Sequence, residues 1–384
     1  MVLYRNLRRF FLKAIKQPGY AFRVFTKRSE AFFSYHFSDG KSFPPESITL
    51  FLTHRCNLHC KMCGQWGEGG VTKKQSTEFV SKELNLAELS SFIRDISSFK
   101  PNITLFGGEP LLYNGTMELI NRIKCNHMHC LMITNGFLIK EKAKELVESG
   151  LDELNVSLDG PGPLHDQIRG MPGLFDKIMR GLKEVSHYKN LLGKTKPLIN
   201  LQCTITKFNY QHLEQVLDVA KEAGANSLTY HNLIFTNKGI LQEQKEIDSK
   251  LNCSSRDWEG FDFDPEIDPE FLFKKLKEVL SARSDFSVDF YPNFTSKGLE
   301  EYYKDPCFTP QGFPARCISP WIAGYVFPDG EVRPCLNCSY SFGNIRMTRF
   351  KDIWNSKRAL EYRRLLKVKK MFPACIRCTE LYRY

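Results

Sequence analysis

Three cysteines stand at CxxxCxxC spacing in Cys56-Asn57-Leu58-His59-Cys60-Lys61-Met62-Cys63. Cysteine thiolates ligate iron-sulfur clusters, and a cubane cluster has four irons to hold. Three thiolates in one short loop can take three corners and leave the last iron open to a substrate or cofactor. Such a cluster is reactive rather than sealed. Zinc, or three thiols that merely lie close together, is the rival chemistry. A second group, Phe106-Gly107-Gly108-Glu109-Pro110, pairs glycines with a carboxylate. Glycine lets backbone come close to a ligand, and the carboxylate beside it can hold an ammonium group. A third group lies near the C-terminus, where Cys307, Cys317, Cys335, Cys338, Cys375 and Cys378 fall within one stretch.

The elements that must position these groups can be read from periodicity. Short β-branched runs at 47-53, 102-106, 130-134, 153-158, 198-205 and 227-231 alternate with amphipathic stretches near 83-97, 115-124, 140-149, 173-188, 211-223 and 269-283. That alternation predicts a parallel α/β sheet, and six βα units predict a partial (β/α)6 TIM-like barrel. The first run, Ser47 to Thr53, ends just before Cys56, so the cysteine loop leaves the C-terminal end of a strand, where α/β barrels place their chemistry. The Gly107-Gly108-Glu109 group follows the second strand and Thr134-Asn135-Gly136 the third. Ser157, Leu158, Asp159 and the later Arg169 follow the fourth, Thr204 the fifth, and His231 and Asn232 the sixth. Before the last helix a polar insertion at about 236-266 carries Trp258 and an acidic stretch. It would sit at the C-terminal face, as a cap or as a plain surface loop.

The 384 residues suffice for one large domain and one smaller one, and the composition is that of a globular protein. No apolar run is long enough to cross a bilayer, and the basic N-terminus lacks the pattern of a signal peptide, so a cytoplasmic protein is expected. In a reducing compartment the thirteen cysteines point to metal ligation rather than disulfides. Cys125, Cys130, Cys203 and Cys253 fall outside the clusters and read as ordinary thiols. The net charge of +11 is partly local: Arg5, Arg8, Arg9, Lys13, Lys16, Arg23, Lys27 and Arg28 precede the first acid, Glu30, among aromatic and aliphatic residues at helical spacing. Such a segment can lie on an anionic membrane or an acidic partner, or it can pack its aromatics on the barrel. No nucleic-acid-binding motif is present, so the charge does not argue for nucleic acid.

The cysteine loop, the Gly-Gly-Glu-Pro turn and the residues after strand four together resemble the radical S-adenosylmethionine (radical SAM) enzymes. In that family the open iron is chelated by S-adenosylmethionine, which is cleaved to a 5′-deoxyadenosyl radical. The resemblance implies that Cys56, Cys60 and Cys63 hold a 4Fe-4S cluster and that Gly107, Gly108 and Glu109 meet the amino group of S-adenosylmethionine. It places Ser157, and with it Asp159, near the ribose, sets Arg169 on the methionine carboxylate, and puts Asn135 at the barrel mouth. His231 or Asn232 would touch adenine or substrate. For Asp159 a turn residue capping its own backbone is the alternative.

The C-terminal stretch is similar to the SPASM domain of these enzymes, an auxiliary iron-sulfur domain. Cys317 and Cys335 flank the hairpin turn Pro328-Asp329-Gly330, and Cys375 and Cys378 follow a basic helix from Lys357 to Lys370. The likeness implies one auxiliary 4Fe-4S cluster on Cys317, Cys335, Cys375 and Cys378. The full pattern has seven cysteines and usually two clusters, whereas this chain stops soon after Cys378, and Cys338 or Cys307 stays open as a replacement ligand. Structural zinc on two CxxC pairs is the rival. The expected organisation is then an N-terminal extension at 1-46, a partial barrel at 47-292 and a small cysteine-rich α+β domain at 293-384. The family implies hydrogen abstraction from an unactivated C–H bond and an electron donor such as flavodoxin or ferredoxin. A small metabolite such as a sugar, tetrapyrrole or cofactor precursor fits as substrate. The basic aromatic N-terminus keeps a lipid-linked substrate, with membrane contact through residues 1-28, as another. A peptide substrate is disfavoured because about forty-five residues before strand one are few for a leader-binding domain. A non-enzymatic electron carrier would have no need of the Gly-Gly-Glu-Pro turn.

Overall fold

The computed structural model describes residues 18–306 and 308–384. Cys307 and the basic residues before Pro18 lie outside them. Helix α1 (Pro18–Phe37) leads into β1 (Ser47–Phe51), and the expected alternation follows. It runs through α2 (Leu86–Ile96), β2 (Asn102–Phe106), α3 (Thr116–Cys125), β3 (Cys130–Thr134), α4 (Ile139–Glu148) and β4 (Glu153–Ser157). Then come α5 (Gly162–Arg169), α6 (Leu174–Leu191), β5 (Leu198–Thr204), α7 (Leu213–Glu222), β6 (Ser227–His231), α8 (Lys238–Leu251), α9 (Pro269–Ser281) and β7 (Ser287–Tyr291). Strands β1 to β7 are parallel and in sequence order. The period-2 pattern explains why they form a layered sheet. Ile48, Leu50, Ile103, Leu105, Leu154, Val156, Leu201 and Leu228 are fully buried in one core with helix residues such as Leu89, Ile93 and Ile120. The alternate face carries Thr49, Thr104, Asn155, Gln202 and Thr229, which are only half-buried. Some helices begin at a side-chain cap: Asn85 and Glu88 form a reciprocal capping box at α2, and Asn237 caps α8.

Strand β7 extends the six strands read from the sequence to seven. Its run Ser-Val-Asp-Phe-Tyr breaks the apolar pattern with Asp289, which is itself buried beside β6. The C-terminal part adds α10 (Ser296–Lys304), α11 (Ser319–Ile322), β8 (Ala323–Val326), β9 (Glu331–Arg333), β10 (Gly343–Asn344), α12 (Phe350–Trp354) and α13 (Lys357–Lys369). The expected hairpin at Pro328-Asp329-Gly330 joins β8 to β9. Its first strand also pairs in parallel with the free edge of β1, in the register Ser47 with Ala323 through Leu50 with Val326. Barrel and cysteine-rich region therefore share one ten-stranded sheet. Arg346 reinforces the seam by pairing with Glu88 of α2 at 2.6 Å.

Helix α1 packs on α11 through Tyr35, whose ring meets Trp321 edge-on at 5.0 Å. Of the aromatics read in residues 1-28, Phe22 and Phe25 fall on this helix and are exposed, and those before Pro18 lie outside the described residues; Phe32, Phe33 and Phe37 face outward as well. Ala21, Ala31 and Ser34 line the inner side together with Tyr35. No helix among the described residues is long and apolar enough to cross a membrane.

Candidate active site

The loop that leaves β1 is held by backbone contacts that admit no side chain. Gly108 donates to the Thr53 carbonyl and Glu109 to that of Arg55, both at 2.8 Å. A Cβ on Gly107 would lie 2.6 Å from the Thr53 oxygen, and one on Gly108 would lie 2.2 Å from the Arg55 oxygen. Gly107 also has φ +151°, a conformation that favours glycine. These glycines thus join the turn after β2 to the cysteine loop, whatever else they touch. Glu109 is fully buried. Its Oε1 accepts from the Thr134 hydroxyl at 2.7 Å and the Leu111 amide at 3.0 Å, and Oε2 accepts from the Asn135 amide at 2.8 Å. Burial pushes its carboxyl up to about 7, against the pull of those three donors. A buried carboxyl in that state favours a cation beside it.

Each cysteine sulfur in the loop receives one N–H. Asn135 Nδ2 points at Cys56 Sγ at 3.9 Å and at Asn57 Oδ1 at 2.9 Å. Arg169 Nη1 donates to Cys60 Sγ at 3.7 Å, and the Trp66 amide to Cys63 Sγ at 3.4 Å. Trp66 is fixed in turn by its indole N–H on the His54 carbonyl at 2.8 Å. Burial, aided by Cys60, Glu109 and Cys63, raises the Cys56 thiol to about 12, and burial raises Cys60 as well. Thiols so placed ionise only against a strong positive charge, and N–H donors aimed at the sulfurs then stabilise the thiolates. The donor set fits a 4Fe-4S cluster.

Arg169 also binds Asp159, Nε to Oδ2 at 2.6 Å. Burial alone would lower the guanidinium, but Asp159 and the Cys60 sulfur hold it above its ordinary value. Asp159 is fully buried and its Oδ1 accepts the Thr204 amide at 2.8 Å, so it anchors Arg169 and the end of β5 rather than capping its own backbone. Asn209 closes this network by donating to the carbonyls of Asp159 and Thr204 at 2.8 and 2.9 Å. Ser157 ends β4 half-buried, with no side-chain hydrogen bond among the described residues. Asn232, expected at adenine or substrate, is committed elsewhere: its amide donates to Pro292 and its oxygen accepts from the Tyr303 hydroxyl. His231 meets Gln202 through Nε2, and burial lowers it to about 4, so the ring is neutral.

The insertion after β6 is neither a bare loop nor a distant cap. Helix α8 and the turn Arg256–Phe261 bring Gly260 so near the cysteine loop that a Cβ on it would lie 1.9 Å from the Gly64 oxygen, while the Phe261 ring covers Gly64. On its other side Gln244 accepts the Ala374 amide at 3.2 Å, next to Cys375. Ser254 and Ser339 exchange hydrogen bonds of 2.8 Å. Cys253, read from the sequence as an ordinary thiol, has its sulfur 3.8 Å from that of Cys338. Nothing in its spacing signals this, because the partners lie 85 positions apart. The insertion therefore touches both cysteine sites.

Cys317, Cys335, Cys338 and Cys375 gather beside the buried Tyr362 ring of α13, and Cys378 lies near Cys317 and Cys375. Burial and the neighbouring sulfurs raise the Cys317 and Cys378 thiols, and burial raises Cys375 to about 11. This second set again suits a polycationic centre. Trp66, Asn209 and Cys253 are the contributors that sequence reasoning missed; Trp66 alone left a signal, three residues after Cys63.

The model of the Radical SAM superfamily matches residues 50–218, and that of SPASM, an iron-sulfur cluster-binding domain, matches residues 317–379. The Fe-coproporphyrin III synthase of Methanosarcina barkeri is 28% identical over 320 residues, covering 79% of this chain and 72% of its own. The AdoMet-dependent heme synthase of the same organism is 27% identical over 320 residues, covering 81% and 82%. SuiB of Streptococcus suis, solved with S-adenosylmethionine bound, superposes with a TM-score of 0.59 at 15% identity over 88% of this chain and 77% of its own. That likeness is one of fold.

Proposed function

This chain is a radical SAM enzyme with a C-terminal SPASM domain, and from that premise we propose that it abstracts hydrogen from an unactivated C–H bond of a small carboxylated metabolite of the tetrapyrrole or cofactor-precursor kind. When bound, the 4Fe-4S cluster and S-adenosylmethionine supply the electron and the 5′-deoxyadenosyl radical for that step. The observation that carries the reading is the set of three sulfurs, each met by one N–H from a different part of the fold: Asn135, Arg169 and Trp66. Cys56, Cys60 and Cys63 hold the cluster in this reading. Glu109, with its raised carboxyl, holds the ammonium of S-adenosylmethionine, while Gly107 and Gly108 bring that turn up to the cluster. Asn135 orients the loop, Ser157 offers a free hydroxyl to the ribose, and Arg169 joins the cofactor side to Cys60. Cys317, Cys335, Cys375 and Cys378 would hold the auxiliary cluster, whose chemistry there would be to accept the electron given up by a substrate radical. The electron for the first cluster would come from an external reductant such as flavodoxin or ferredoxin.

Two features support the substrate class. The relatives named for Fe-coproporphyrin III and heme synthesis align over most of this chain. At the mouth, Lys61 of the cysteine loop reaches the loop after β5 and places Nζ 4.3 Å from the centre of the Phe208 ring, while Lys207, 5.5 Å from that ring, is paired with Glu266. The Lys61 ammonium beside an aromatic ring suits a flat ring bearing carboxylates. The test is anaerobic turnover of reconstituted enzyme with a reductant, S-adenosylmethionine and a deuterated carboxylated porphyrin. Deuterium appearing in 5′-deoxyadenosine is the expected result. The Lys61→Ala enzyme should show a KM for the porphyrin raised by about tenfold or more, with substrate-free cleavage of S-adenosylmethionine unchanged. Unlabelled 5′-deoxyadenosine with every porphyrin tried would refute the substrate class, and no 5′-deoxyadenosine at all would refute the cofactor site.

A further inference from the structure

Surface helices turn their apolar stripe inward. Helix α1 does the reverse. Phe22, Phe33 and Phe37 are 73%, 56% and 75% exposed, and Phe32 and Phe43, the latter just past the helix end, are 48% and 47% exposed. The Phe33 and Phe37 rings lie 5.0 Å apart on successive turns. Single exposed apolar residues are ordinary, but a row of phenylalanines on one helix marks an interaction surface.

The row has a defined place. Arg28 of α1 pairs with Glu46, the residue before β1, at 3.0 Å, and Arg23 donates to Asn102, the first residue of β2. Helix α1 thus crosses the N-terminal ends of the parallel strands, at the opposite end from the loops that carry Cys56 and Glu109. The end of α13 lies beside it: Lys367 Nζ donates to the carbonyls of His36 and Ser38 at 3.1 and 3.2 Å. There Val368 is 78% exposed, and Lys369, Lys370 and Lys41 are exposed with no ion pair among the described residues. The acids of this face, Glu30, Asp39 and Glu46, are each paired, with Lys27, Arg364 and Arg28. Positive charge is left over around the aromatic row.

We propose that this face seats the enzyme on an anionic phospholipid bilayer, with the phenylalanines entering the acyl boundary and the lysines among the headgroups. Apolar insertion combined with unpaired positive charge is the chemistry of a bilayer surface. A protein partner would need acids matched one by one to these lysines. Seating in this orientation turns the barrel mouth away from the lipid, so substrate arrives from the aqueous side. The lipid-linked substrate raised by the basic N-terminus gains nothing from this contact.

The test is co-sedimentation of the full reconstituted chain with phosphatidylcholine vesicles, with and without phosphatidylglycerol, at low and high salt. Binding is expected to the anionic vesicles alone and to weaken with salt. The combined Phe22→Ser, Phe33→Ser, Phe37→Ser, Phe43→Ser variant should bind at least about tenfold more weakly. The combined Lys41→Glu, Lys369→Glu, Lys370→Glu variant should lose about fivefold or more for each charge reversed. Both should keep the wild-type circular dichroism spectrum and iron content, since these side chains are exposed and remote from the cysteine sites. A full chain that ignores anionic vesicles, or a serine variant that binds as the wild type does, would overturn the proposal. So would a concentration-dependent dimer in sedimentation velocity that the serine variant dissolves while vesicles are ignored, because the face would then belong to a second copy.

Discussion

Replacing Glu109 by Gln changes one oxygen at a point where three donors converge. Oε1 accepts from the Thr134 hydroxyl and the Leu111 amide, and Oε2 from the Asn135 amide. A glutamine that keeps its oxygen on the first two turns its own NH2 toward the Asn135 N–H, leaving a buried donor unpaired at a cost of about 1–3 kcal/mol. An opposing effect depends on pH. Burial raises the native Glu109 carboxyl from its ordinary 4.5 to about 7. Its contribution to stability is therefore complete below the unfolded value and is lost as pH rises through about 7. That interval corresponds to about 3 kcal/mol. Glutamine does not titrate, so the variant should gain on the wild type by about that much between pH 5 and pH 8. Urea midpoints of both proteins under anaerobic conditions measure the difference. An ammonium ligand should reverse the burial effect in the wild type by drawing the proton off. Near pH 6 the binding of S-adenosylmethionine should then release up to about one proton, seen by calorimetry in two buffers of different ionisation enthalpy. Glutamine should abolish that release and weaken binding by about 2–5 kcal/mol. A variant that binds S-adenosylmethionine as tightly as the wild type, or a stability difference independent of pH, would refute the reasoning.

Reconstituted wild-type protein should hold about eight irons, and the combined Cys56→Ala, Cys60→Ala, Cys63→Ala variant about four, with no cleavage of S-adenosylmethionine. Zinc at the C-terminal cysteines in an elemental assay would remove the auxiliary cluster. Arg169→Lys keeps the charge but loses the fork that spans Asp159 and Cys60; iron should be retained while the electron paramagnetic resonance of the reduced first cluster shifts and S-adenosylmethionine binds more weakly. Cys253→Ser should keep all its iron whereas Cys317→Ser should lose about half, and iron loss on the first substitution would bring Cys253 into the ligand set. Gly108→Ala forces a Cβ to within 2.2 Å of the Arg55 oxygen, so the two loops must separate, with a lowered melting temperature and lost cofactor cleavage.

Chemistry confined to one loop was legible in the sequence. Cys56, Cys60 and Cys63 carry their ligand spacing in eight consecutive residues. The alternation of β-branched runs and amphipathic stretches located six of the seven parallel strands, because burying one face of each strand more deeply than the other writes a local pattern of period two. The strand that escaped, β7, holds a buried Asp289 that local hydropathy reads as surface. Three matters were settled only by long-range packing. Asp159 could be read as a turn residue until folding set the Arg169 guanidinium 2.6 Å from it. Cys253 stood apart until α8 brought it to Cys338, and β8 joined β1 across some 270 residues of chain by hydrogen bonds that follow strand edges and not residue types. The direction of α1 was ambiguous for a related reason. Helical periodicity reports that a helix has two faces, but which face the protein covers depends on the surface it lands on, and α11 offered Trp321 to the side that carries Tyr35.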